Sequence, residues 1–346
     1  FDKRPDTMFS VEILSKMLMA FAPVSLFLVA LVYLDSYKLV RLRRILLVAG
    51  YGCLMALVAY GVNVFLLQWI EIPRVVLGRL VAPMIEELLK GALIIVLIRG
   101  RRVGFLVDAT IQGFAIGAGF ALVENLYYLG ALPDSSLGLW LIRGFGTAIM
   151  HGGTTAIFAI FSKGLTQSLS KPKLRSFVPG FLLAVLIHSM FNNFLLSPLL
   201  STLLVLLILP YLLIYFFNRS ERKLQEWLGA GFDMNNEVLR LINSGELTRS
   251  PIGLYLGSLR QFYPGEVLVD MLCYLRLHTE LALRAKGILM MKESGFPVKP
   301  DAEVRASLAE LAHLEGSIGR TAMSSLTPIL RGSEQDLWQL EILAEA

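Results

Sequence analysis

Glu86, Glu87 and Lys90 fall within one and a half helical turns of an otherwise apolar run, "APMIEELLKGALIIVLIR". A charge near the middle of a lipid-facing helix costs roughly 2.5–3.5 kcal/mol on insertion scales, so three of them need a purpose. Three later apolar runs carry polar groups as well. "IQGFAIGAGFALVENLYYL" has Glu124 and Asn125, "RGFGTAIMHGGTTAIFA" has His151, and "AVLIHSMFNNFLL" has His188, Asn192 and Asn193. Glu86 and Lys90 are spaced i,i+4, as are His188 and Asn192, which puts each pair on one helix face. Two imidazoles and three carboxylates are the ligand and acid–base inventory of a zinc hydrolase. Singly, each has a plainer reading: a Glu–Lys pair can be an internal ion pair, and a lone His or Asn can hold helices together. Together they sit at compatible depths on successive spans. Gly113, Gly117, Gly119, Gly144 and Gly146 precede them and let backbones approach closely. Chemistry is the better reading of the set.

The elements that must position these groups are membrane helices. Of 346 residues, 55% are hydrophobic and only 17% charged, and the mean hydropathy is +0.64; soluble domains are nearer 45–50% and about 25%. Hydropathy predicts an all-α polytopic helix bundle of about seven spans, near 17–34, 45–70, 76–98, 104–130, 138–162, 177–196 and 199–217. Basic loops alternate with loops poor in Lys and Arg; the segment near Glu71 has Arg74 and Arg79 only. "DSYKLVRLRR", "RGRR", "KGLTQSLSKPKLR" and "NRSERK" are basic, whereas "GALPDSSLG" and "LSPLL" are not. The positive-inside rule then places the basic loops and the tail in the cytoplasm and the N-terminus outside. The net charge of +5 is spent on these loops, which argues against nucleic acid as a partner. Cys53 lies in a span and Cys273 in the tail, so no disulfide framework is expected. Phe1 rather than Met opens the chain, leaving room for a native start upstream, and no cleavable signal peptide is visible.

Two domains are expected, a membrane domain over 1–218 and a helical soluble domain over 219–346. In the second, Pro264 can start a helix, and Val304, Leu308, Leu311, Leu314 and Ile318 are spaced for one apolar face. Asp301 and Ser333 can cap helices. His278 and His313 lie on separate predicted helices and read as ordinary histidines.

The motifs, taken in order, resemble the PrsW family of intramembrane proteases, relatives of the type II CAAX prenyl endopeptidases. E-E-x-x-K is Glu86, Glu87 and Lys90; F-x-x-x-E is Phe120 and Glu124; His151 follows on the next span; H-x-x-x-N is His188 and Asn192. The likeness covers roughly 76–196. Glu124 stands where CAAX proteases typically have a His, which favours the PrsW branch. Asn192 follows the CAAX-type motif, whereas PrsW-like sequences often have an acid there.

The resemblance implies hydrolysis of a peptide bond in a membrane-anchored protein, within a lipid bilayer that is expected to be the bacterial inner membrane. Zn²⁺ would be held by His151 and His188 with a glutamate, Glu87, as a further ligand. Adjacent helical residues point about 100° apart, so Glu86 and Glu87 should do different jobs, one of them as general base. Glu124 joins the catalytic set, Asn192 is a candidate oxyanion donor, and Lys90 is expected to neutralise Glu86. A metal-free glutamate mechanism would use the same residues. Two other classes fit intramembrane Glu and His: a transporter or proton relay, and a non-catalytic receptor or scaffold. No duplicated half with matching broken helices supports the transporter.

Overall fold

The computed structural model describes all residues except 1–4, 71, 168–171, 194, 297–301, 331–337, 341–342 and 344–346. The chain is an all-α membrane helix bundle followed by further helices, with no strand among the described residues. It divides into two compact units, Phe1–Thr166 with Lys171–Ser220, and Glu221–Ala346 with Gln167–Ser170.

In the first unit, α1 is Pro5–Leu34 and α2 is Leu42–Trp69. α3 is built from Arg74–Val76, a π-helical segment Leu77–Val81, and Ala82–Arg99. α4 is Leu106–Ala131. α5 runs through Leu137–Leu141, a second π-helical segment Ile142–Ala148, and Ile149–Thr166. α6 is Val178–Asn192, and α7, Pro198–Asn243, continues into the second unit.

Against the seven spans hydropathy predicts, six helices among the described residues are long and apolar enough to cross a membrane. The remaining segment, α3, is helical but carries Glu86, Glu87, Lys90 and Arg99, which take it out of that class. It nevertheless packs antiparallel against the first part of α2. Tyr51 of α2 donates its hydroxyl to Leu89 O at 2.7 Å. Arg44 at the start of α2 donates to Arg102 O, just beyond α3, at 3.2 Å. α3 therefore returns to the end from which α2 set out.

α4 is the axis of this unit. It is buried on every side from Leu106 to Ala121, as a helix apolar all round must be. Asp108 closes its first turn, accepting from the backbone N–H of Gly104 at 2.7 Å and of Phe105 at 2.8 Å. Two glycines set its distance from its neighbours. A Cβ on Gly117 would collide with the carbonyl of His151 in α5, and one on Gly119 with the carbonyl of Ala49 in α2. Only a missing side chain lets the backbones come this close. The surrounding core includes Val24, Ile94, Ile98, Phe114, Ile116, Ile149, Phe158 and Leu213.

The second unit contains the remainder of α7 with α8 (Pro251–Ser258), α9 (Gly265–Glu293) and α10 (Ala302–Leu330). Pro264 precedes α9 as its N-cap. The predicted apolar stripe of α10 packs inward, with Val304, Leu311 and Ile318 buried and Leu308 and Leu314 partly so. Burial, with Glu315 nearby, pushes the Tyr274 phenol up to about 12, so it stays neutral in this core. The caps expected at Asp301 and Ser333 lie outside the described residues.

Candidate active site

Four helices of the first unit bring their polar residues to one place. α3 supplies Glu86, Glu87 and Lys90, α4 supplies Glu124, α5 supplies His151 and Thr154, and α6 supplies His188. Glu87 is at the centre. Its Oε1 accepts from the Lys90 ammonium at 2.6 Å, from His188 Nδ1 at 2.8 Å and from the Thr154 hydroxyl at 3.1 Å. Glu87, Lys90, His151, Thr154 and His188 are all buried. Lys90 also reaches His151 Nδ1 at 3.1 Å and lies over the Phe120 ring, 4.8 Å from its centroid. The opposite nitrogen of that imidazole, Nε2, is 2.9 Å from Glu124 Oε2. The two imidazoles meet edge to face, with centroids 4.7 Å apart.

Glu86 occupies the other side of this arrangement. Its carboxylate is 3.8 Å from His188 Nε2, and its side chain is 13% exposed. One donor atom each from Glu86, His151 and His188 lie within 4.8 Å of one another. Because His188 Nδ1–H is committed to Glu87, the lone pair on Nε2 faces Glu86 and this shared space. A neutral histidine held by a carboxylate through one nitrogen and open at the other is the usual arrangement of a metal ligand. Two nitrogens and a carboxylate oxygen, each from a different helix, also suit a catalytic divalent site with a position left for substrate. The donor set fits a metal.

The structure differs from the sequence expectation in two particulars. Lys90 pairs with Glu87, three residues away, and not with Glu86. The carboxylate whose oxygen converges with His151 and His188 is that of Glu86, while Glu87 Oε1 is engaged by three donors behind His188. Both differences have one cause: at i+3 and i+4 a lysine reaches either glutamate, and the neighbours on α5 and α6 decide between them.

Asn192 is not brought into the cluster. Its Nδ2 donates to Gly78 O at 3.2 Å, and Asn193 donates to Arg79 O at 3.4 Å and to Ser189 O at 2.7 Å. The reason lies in α3. Pro83 has no N–H to offer the π-helical segment before it, and the freed carbonyl is met from the neighbouring helix.

Two residues join the site that sequence reasoning did not single out. Thr154 is one. The other is Arg143, 3.5 Å from Glu124 Oε2, bonded through Nε to Asn125 Oδ1 at 3.0 Å and stacked 3.9 Å from the centre of Tyr128. An arginine inside a predicted span is itself a functional signal.

A helical membrane bundle whose polar centre gathers two histidines and three glutamates from four helices has the donor and acid–base groups that an intramembrane metal hydrolase requires. Comparison at the level of families is specific. Residues 41–217 match the model described as PrsW family intramembrane metalloprotease, and the chain belongs to that family. No curated protein and no solved structure is significantly similar to it. Membership makes the chain an integral membrane protein and an intramembrane protease, acting on a membrane-embedded protein within lipid.

Proposed function

We propose that Glu86, His151 and His188 hold one divalent cation, zinc by donor chemistry, in an endopeptidase site that cuts a membrane-anchored protein. The convergence of their donor atoms within 4.8 Å carries this reading. When bound, such an ion supplies Lewis acidity: it polarises a carbonyl and makes water a stronger acid.

The remaining steps belong to the protein. Glu87 fixes the His188 tautomer and ring, with Lys90 and Thr154 holding Glu87 in turn. Glu124 is the general base. Its side chain is the most open of the three carboxylates, 26% exposed, with the Arg143 guanidinium beside it. It takes a proton from the attacking water as the oxygen bonds to the peptide carbon. It returns that proton to the amide nitrogen as the C–N bond breaks. His151 Nε2 and Glu124 Oε2 lie 2.9 Å apart, which places the Glu124 carboxylate at the edge of the same shared space. Asn192 gives one of its two amide hydrogens to Gly78 O, and an oxyanion would have to be met by the second.

The same reading assigns the membrane unit through residue 218 as the protease domain, and 219–346 as a cytoplasmic accessory domain in a bacterial inner-membrane protein. α3 counts as a seventh pass, since only then do "DSYKLVRLRR" and "RGRR" share the cytoplasmic side. Glu124 lies about two helical turns from the end of α4, and His188 about one turn from the end of α6. The catalytic groups are therefore nearer the non-cytoplasmic surface.

Metal analysis of the purified protein paired with a cleavage assay tests these roles. Glu86→Gln and His188→Ala should lose both metal and cleavage. Glu124→Gln should keep its metal and lose activity by about 10²–10⁴-fold, the usual contribution of a general base. A wild-type enzyme that cleaves fully after chelation would remove the metal from the mechanism and make Glu86 the base.

A further inference from the structure

Beside the catalytic cluster, between α5, α6 and α7, lies a cavity of about 550 Å³. That volume is within the range of roughly 300–1,000 Å³ typical of ligand pockets. Its floor is buried and formed by Met150, Thr154 and Leu209; its rim carries Met190, Leu195 and Ile208, all exposed on the face where lipid would lie. Thr154 is shared with the cluster, since its hydroxyl bonds Glu87, and Met150 precedes His151 in the chain. The cavity thus runs from the lipid-facing surface to the wall of the catalytic centre. No charged residue lines it among the described residues.

We propose that this cavity is a specificity pocket that seats one large apolar side chain, Leu, Met or Phe, from the membrane-spanning segment of the substrate, adjacent to the bond that is cut. The inference rests on the protease reading above. A membrane-anchored substrate reaches the enzyme sideways through lipid, so its apolar side chains meet this mouth before the polar centre. An uncharged wall gives an acidic or basic side chain no partner, and burying an unpaired charge is strongly unfavourable. The pocket therefore rejects charged residues as well as favouring bulk.

The test uses full-length enzyme with its metal, reconstituted with a panel of single-span model proteins. These are identical except for Gly, Leu, Phe or Asp placed in turn at each position around the mapped cut. At one position Leu or Phe should be cleaved about tenfold or more faster than Gly in kcat/KM, a usual margin for a hydrophobic pocket, and Asp should not be cleaved. Val205→Trp, which fills the cavity from α7, should flatten the Leu-to-Gly ratio while leaving metal content and cleavage of the Gly protein unchanged. Leu204→Trp, at the more exposed side of α7, is the second variant should the first fail to fold. Preference unaltered in both variants would overturn the pocket while the protease reading stands. Indifference of the wild type to Leu or Gly at every position would give the cavity to lipid acyl chains instead. If the wild type cleaves no member of the panel, the protease reading falls and the pocket with it.

Discussion

One carboxylate oxygen, Glu87 Oε1, accepts from an ammonium, an imidazole and a hydroxyl, which ties Glu87 to three neighbouring side chains at once. Removing Lys90 alone would leave a buried charge without its cation, a loss of about 3–5 kcal/mol when one partner of a buried pair is deleted. Lys90→Met should therefore melt well below wild type in detergent, and Lys90→Met with Glu87→Gln should recover part of the difference. Additive losses would mean that the two side chains are not coupled. Glu87→Gln alone should weaken metal binding by about 10–100-fold, as loss of a supporting carboxylate does. At this scale much of the site was legible. A Glu or His inside an apolar run announces itself, and Glu86, Glu87, Glu124, His151 and His188 all did. What the sequence leaves open is the pairing, because a lysine at i+3 and i+4 from two glutamates faces both.

At the scale of the element, the π-helical start of α3 has a chemical origin. Pro83 cannot donate, Gly78 O loses its helical partner, and Asn192 replaces it from α6. Asn192→Ala should then cost about 1–3 kcal/mol in detergent melting, the penalty for an unsatisfied buried polar group, discounted because Asn192 is only partly buried. In a Pro83→Ala background the cost should shrink, since the new N–H can take the carbonyl. If Asn192 instead donates to an oxyanion, kcat should fall equally in both backgrounds. Proline in "LVAPMIEEL" was visible in the sequence, but its consequence was not. The carbonyl it frees is met by a side chain more than a hundred residues later, and no local pattern encodes that pairing. The second π-helical segment, Ile142–Ala148, likewise has no signature in periodicity.

For the whole molecule, the division of labour predicts that a chain ended near Asn218 keeps its metal and its basal hydrolysis, with substrate choice or regulation altered. Metal analysis and cleavage by the truncated protein check this; a folded truncation without metal would assign a ligand to the tail. The spans were readable because lipid demands about twenty apolar residues of each. α3 was readable for the opposite reason, as a run of the right length spoiled by four charges, and whether such a helix crosses the bilayer depends on its company rather than its composition.

That dependence reaches into biogenesis. With Glu86, Glu87 and Lys90 near the middle of one helix, each costing roughly 2.5–3.5 kcal/mol at mid-membrane if left to lipid, a nascent chain that has produced only α1 to α3 holds a segment the insertion machinery should refuse. Thr154 and His188, which receive Glu87, are synthesised later. α3 should therefore wait at the interface and enter the bilayer only as α5 and α6 arrive. Glycosylation tags placed after Arg102, in microsomes, would report this. Chains ending before His151 should leave the tag on the side opposite to that seen when the chain extends past Asn193. A tag on the same side at both lengths would show that α3 inserts unaided.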